Sequence, residues 1–128
     1  MPQPKTILII EDDRFLSRMY ADMFGLSGYR VVTAFEGASG LAAAERDVPD
    51  GILLDLMLPI VDGFQVLERL RSTPFLRAVP VVILTNLDEP EQIERARGLG
   101  AVDVLVKAHN VPAEVVRRLT VVLEEAGV

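Results

Sequence analysis

The chain has no cysteine, no tryptophan, one histidine and two tyrosines among 128 residues. Without cysteine there is no disulfide, no thiolate nucleophile and no Cys-based zinc site. A single histidine cannot build a His-rich metal site within one chain. Positive charge is also scarce, with 13 Lys and Arg against 19 Asp and Glu and a net charge of -6. Nucleic-acid modules carry a basic patch that replaces counterions, and here only the adjacent pair Arg117-Arg118 stands out, so no direct nucleic acid binding is expected. The few aromatics are not interleaved with basic residues, which argues equally against single-strand binding. Long apolar runs are missing too. Half the residues are hydrophobic and the mean hydropathy is +0.32, yet the runs are only about four to six residues where a membrane span needs roughly 18. Met1-Pro2-Gln3-Pro4-Lys5 leads into such a run, not into a signal-peptide core. The expectation is one soluble, cytoplasmic domain over residues 1–128, without membrane insertion and long enough to bury a core.

What is present alternates between two periods. Thr6 to Ile10 is a β-branched run of the kind covered on both sheet faces. From Asp13 the spacing becomes helical, with Leu16, Met19, Tyr20 and Met23 on one face, Asp13 as cap and Gly28 at the end. The cycle repeats with a strand at Arg30 to Ala34 and an Ala-rich helix over 36–46. A strand at Gly51 to Leu54 follows, then a loop punctuated by Pro59 and Gly63 and a helix carrying Phe64, Val66, Leu67 and Leu70. Pro80 opens a strand over 81–84, residues 85–89 form a loop and 90–99 a short helix. The last pair is a strand over 102–106 and a helix with Asn110 as N-cap, Pro112 in its first turn and Val115, Val116, Leu119, Val122 and Leu123 inward. Five strands alternating with five helices specify an α/β fold, a doubly wound parallel sheet with helices on both faces.

Chemistry collects where the apolar runs stop. Glu11-Asp12-Asp13 follows the first strand, Asp55 the third, Thr85 the fourth and Lys107 the fifth. In a parallel sheet these ends share the C-terminal edge, where ligands sit. Asp12, Asp13 and Asp55 form an all-oxygen set suited to Mg2+ or Mn2+. A hydroxyl at Thr85 and an ammonium at Lys107 aimed at the same cavity suit the oxygens of a phosphoryl group. Asp55 is then the natural nucleophile.

Ile10-Glu11-Asp12-Asp13, Asp55-Leu56-Met57-Leu58-Pro59 with Asp62-Gly63-Phe64, then Thr85 and Gly100-Ala101 through Lys107, resemble the receiver domain of bacterial two-component response regulators over essentially the whole chain. The resemblance implies a flavodoxin-like strand order, 2-1-3-4-5. It also implies a phosphorylation-dependent switch in which Asp55 accepts a phosphoryl group from a sensor histidine kinase or phosphotransfer protein. Asp13, Asp55 and the Met57 backbone carbonyl would hold Mg2+, with Asp12 acting through water. Lys107 would pair with phosphoryl oxygens and Thr85 would move toward them. The altered surface of the fourth helix, fifth strand and fifth helix would bind a downstream effector or form a homodimer. No dedicated enzyme is expected beyond Mg2+-dependent self-phosphorylation and slow autohydrolysis.

Three positions depart from the family pattern. Val104 replaces an aromatic switch residue and suits simple packing. Ala108 replaces the proline after the lysine, where a cis bond without proline costs about 2.5–4 kcal/mol, so either a trans bond or a strained cis bond is open. Asn86 stands where a small residue is usual and, with Met57 and Leu87, flanks the acceptor, implying slow phosphoryl loss. His109 reads as a surface or cap residue. Two rivals are a non-phosphorylated interaction module and a Mg2+ hydrolase, the latter weakened by the lack of a base or substrate-pocket motif.

Overall fold

The computed structural model describes residues 3–86 and 89–127. In chain order its elements are β1 (Thr6–Ile10), α1 (Arg14–Leu26), β2 (Arg30–Ala34), α2 (Gly37–Arg46), β3 (Gly51–Asp55) and α3 (Gly63–Ser72). They continue with β4 (Val81–Thr85), α4 (Pro90–Gly98), β5 (Asp103–Val106), a single 3-10 turn (Lys107–His109) and α5 (Pro112–Glu125). All strand pairs are parallel and the order is β2-β1-β3-β4-β5, which is the flavodoxin-like arrangement.

Alternation along β1 builds the two faces. Leu8 and Ile10 join Ala43 and Ala44 of α2, Leu67 of α3 and Ala96 of α4 in one core layer. Ile7 and Ile9 point the other way, to Tyr20 and Phe24 of α1 and Val115, Leu119 and Leu123 of α5. Period-two strands between period-3.6 helices therefore give two apolar layers about one sheet. Tyr20, Phe24 and Ser17 are the buried residues of α1, so the inward stripe includes Phe24 beyond the four expected positions.

Local chemistry sets the helix ends. The Asp13 side chain accepts from the amides of Phe15 and Leu16, and Asp62 forms a reciprocal capping box with Gln65 at α3. The C-terminal third differs from expectation in three details. Val102 lies outside β5, 49% exposed, so β5 is a residue shorter than the apolar run. Val111, not Asn110, is the N-cap of α5. The Asn110 side-chain Nδ2 instead donates to the Val106 carbonyl at 3.0 Å, because the 3-10 turn intervenes between strand and helix. Among the described residues there is no cis peptide bond, which settles Lys107-Ala108 as trans. No helix among the described residues is long and apolar enough to cross a membrane.

Candidate functional site

Strand register brings the predicted side chains together. Ile10 pairs with Leu54, so the residues that follow, Glu11 and Asp55, leave the sheet side by side. Asp55 pairs with Leu84, and Thr85 with Val106, which puts Thr85 and Lys107 at the same edge. A cavity of about 280 Å³ opens there, lined by Glu11, Asp12, Asp13, Asp55, Met57, Asn86 and Lys107.

Lys107 organises the floor of this cavity. Its ammonium donates to Asp55 Oδ2 at 3.0 Å and lies 2.6 Å from Glu11 Oε1. Both carboxylates are almost fully buried, Glu11 at 2% and Asp55 at 3% exposure. Burial pushes the Glu11 carboxyl up to about 7, opposed by the Lys107 ammonium and the Asp13 amide, which favour its charged form. Burial would lower Lys107, but its hydrogen bond to Glu11 and the charge of Asp55 more than offset this and hold it above its ordinary value. The lysine is therefore charged at neutral pH and carries the local positive charge.

The carboxylates that converge differ by one residue from the expected trio. Oxygens of Glu11, Asp12 and Asp55 all lie within 4.8 Å of one another. Asp13 lines the cavity, but its Oδ1 is engaged by the Phe15 and Leu16 amides at 3.0 and 3.1 Å. Its own amide donates to Glu11 Oε2 at 3.0 Å. Three consecutive acids follow β1, and the helix start claims the third. The missed signal was positional: Glu11 is the residue in line with Asp55 in the register.

Three clustered carboxylates and one ammonium fit a hard divalent cation, which takes oxygen donors and retains waters. Asp12 is exposed at the cavity mouth, within reach of a hydrated ion, and without a cation the cluster holds an excess of negative charge. The Met57 amide donates to Asp55 Oδ1 at 3.0 Å, which orients that carboxylate, while the Met57 side chain is 54% exposed beside the cavity.

Thr85 is fully buried at the end of β4. Val104 pairs with Ile83 and packs in the same core layer as Ile83, Ala96 and Ala101, so at this position the volume is filled by core packing. Asn86 lines the cavity and is exposed; Ala108 and His109 are exposed on the 3-10 turn. Leu87 lies outside the described residues. Asp103, unremarked in the sequence, is buried and held by Arg118, with Arg97 at 3.7 Å.

The family model for the response regulator receiver domain matches residues 7–119. The chain is 38% identical to the probable transcriptional regulatory protein TcrX of Mycobacterium tuberculosis, over 98% of this chain and 53% of that protein. It is 32% identical to the polar-differentiation response regulator DivK of Brucella anthropi, over 85% of this chain and 89% of that one. Among solved structures, the chemotaxis response regulator CheY4 of Vibrio cholerae superposes with a TM-score of 0.87 at 27% identity, covering 94% of this chain and 99% of that chain. The chain thus spans about half the length of TcrX and most of DivK. With the fold, the acidic cluster and the match over residues 7–119 in agreement, the chain belongs to the response regulator receiver domain family.

Proposed function

We propose that this domain is a phosphoryl-accepting signalling switch with Asp55 as the acceptor. The observation that carries the reading is Asp55 itself, a buried carboxylate at the end of β3, held by the Lys107 ammonium at 3.0 Å and the Met57 amide at 3.0 Å on the floor of an acidic cavity. An Asp55 oxygen attacks the phosphorus of a phosphohistidine on a kinase or phosphotransfer partner. The P–O bond forms as the P–N bond breaks, and the imidazole leaves to take up a proton. A bound Mg2+ supplies positive charge for the phosphoryl oxygens and offsets the repulsion between donor and cluster. Lys107 balances the remaining charge.

Glu11, Asp12, Asp55 and the Met57 backbone carbonyl are the proposed cation-binding groups, with Asp13 the helix cap beside them. Thr85 is the proposed switch hydroxyl, its buried position coupling the site to β4 and the α4 side of the sheet. Phosphorylation brings new acceptor oxygens for Thr85 and Lys107, and so biases a loop equilibrium that the partner surface reads. The face of α4, β5 and α5 is the proposed contact for an effector or a second copy.

Incubation with acetyl phosphate and Mg2+ tests the acceptor role. Intact-mass spectrometry should show one added phosphoryl group, and none when Mg2+ is chelated before acetyl phosphate is added. No mass change in the folded protein would defeat the reading. Asp12→Asn should weaken Mg2+ binding by about tenfold or more in a calorimetric titration, since changing even an outer-shell partner of a metal ligand costs roughly 10–100-fold, while the circular dichroism spectrum stays unchanged. Unaltered Mg2+ affinity would remove Asp12 from the site. Met57 and Asn86 border the approach of water to Asp55, so phosphoryl loss should be slow. A phosphoaspartate half-life of only seconds in Mg2+ would contradict that expectation.

A further inference from the structure

Among the described residues the sheet has an edge strand, β2, that pairs on one side only and that the phosphoryl chemistry does not use. β2 ends the strand order and keeps five regular parallel pairs with β1, Thr6 with Arg30 through Ile10 with Ala34. It contains no proline and no bulge, two of the devices that blunt an exposed edge. The Arg30 amide donates inward to the Lys5 carbonyl, and the Ala34 carbonyl accepts inward from the Glu11 amide. By the alternation of a parallel ladder, the N–H and C=O groups of Val31 and Thr33 therefore point outward.

Hollows flank this edge on both sides. One, of about 300 Å³, lies on the α1 side and is lined by Arg14, Ser17, Arg18, Ala21, Thr33 and Phe35. The other, of about 410 Å³, lies on the α2 side, shares Arg14, Thr33 and Phe35 with the first and reaches Arg46. Arg14, Arg18 and Arg46 are exposed, and among the described residues none of them is in an ion pair. The Arg14 guanidinium rests 4.1 Å from the centre of the Phe35 ring. Among the described residues lining either hollow, Glu36 is the single carboxylate. A chain of net charge -6 thus presents a locally positive strip along a free strand. The hollow beside α5 and Asp103 differs: its Arg97 and Arg118 face Asp103, and its Arg117 pairs with Glu114.

We propose that the outer edge of β2 docks an extended acidic segment of a partner protein by strand addition. Main-chain hydrogen bonds to Val31 and Thr33 fix the register. Alternate side chains enter the two hollows, and carboxylates meet Arg14, Arg18 and Arg46. Charge complementarity selects an acidic segment over a basic one, and the chemistry is independent of Asp55.

The probe is a short fluorescein-labelled synthetic peptide of alternating Glu and Val, with a Lys/Val peptide and a single-stranded oligonucleotide as comparators. Saturable binding of the Glu/Val peptide is expected, weakened by salt, with slowed hydrogen exchange at the Val31 and Thr33 amides. The double variant Arg18→Glu/Arg46→Glu should weaken it at least tenfold while phosphoryl uptake at Asp55 stays at the parent level. Thr33→Pro removes an outward N–H that an edge strand can lose and should weaken it similarly; should that variant not fold, the arginine variant still decides. Absence of binding would overturn the proposal. So would equal binding of the Lys/Val peptide or the oligonucleotide, or binding without protection at Val31 and Thr33, since these describe a general anion patch or nonspecific contact.

Discussion

Asp55→Asn protein incubated with acetyl phosphate and Mg2+ should gain no phosphoryl group, whereas the unaltered chain should gain one. The substitution preserves shape but removes the nucleophile: an amide oxygen carries no full charge, and its attack yields no stable acyl phosphate. It also removes one of the three clustered carboxylates proposed to hold the cation. The fold should tolerate the change. The asparagine oxygen can still accept from the Met57 amide, and Lys107 keeps Glu11 at 2.6 Å. Losing the Asp55 charge gives up part of the attraction to Lys107 but also relieves its repulsion with Glu11 and Asp12. A melting temperature near the parent's, combined with complete loss of the mass increment, is the expected pair of results. Retention of the increment in folded Asp55→Asn protein would place the acceptor elsewhere.

Gly63→Ala should destabilise the domain by about 3 kcal/mol, the upper end of ordinary overpacking. Gly63 opens α3 directly against the end of β3. A Cβ there would sit 2.3 Å from the Asp55 carbonyl oxygen and 2.4 Å from the Leu56 Cα. Neither neighbour is a flexible side-chain tip; both are main chain at the exit of β3. The Gly63 amide also closes the loop by donating to the Leu56 carbonyl at 2.9 Å. Accommodating the methyl therefore displaces the segment that carries Asp55 and Met57, so Mg2+ affinity should fall together with the denaturation midpoint. Gly25 in α1 is the comparison, because nothing lies within 4 Å of its Cβ position. There an alanine should stabilise by about 0.5–1 kcal/mol through helix propensity. Equal midpoints for the two variants would show that the close approach at Gly63 has been misjudged.

The elements were legible because their signals are local. Thr6 to Ile10 and 81–84 are apolar, β-branched runs that form covered strands, and Asp13 and Pro112 mark helix starts in the chain itself. Asp55 and Lys107 were legible for a related reason, each being a charge that directly follows a buried run. Positions whose role depends on how the chain turns were harder. Three acids in a row after Ile10 carry no period, so only the turn into α1 shows that Asp13 caps the helix while Glu11 joins Asp55. The 3-10 turn at Lys107–His109 likewise moved the cap of α5 from Asn110 to Val111. Val104 packs in the core layer, whereas Val102, two residues before it, is exposed because β5 begins one residue later.

Residue order alone determined that strands and helices alternate, that charges stop the strands at one end, and that no thiol or His-rich chemistry is available, since these rest on local propensity and on residue types present or missing. Only packing of the sheet decided which charges meet. Parallel register set Glu11 beside Asp55 and Lys107, and the placement of β2 at the rim brought Arg14 and Arg18 of α1 together with Arg46 of α2 along one edge. The physical reason is common to both: Coulomb attraction and hydrogen bonding depend on distances through space, which the spacing of residues along a chain does not specify until the strands pair.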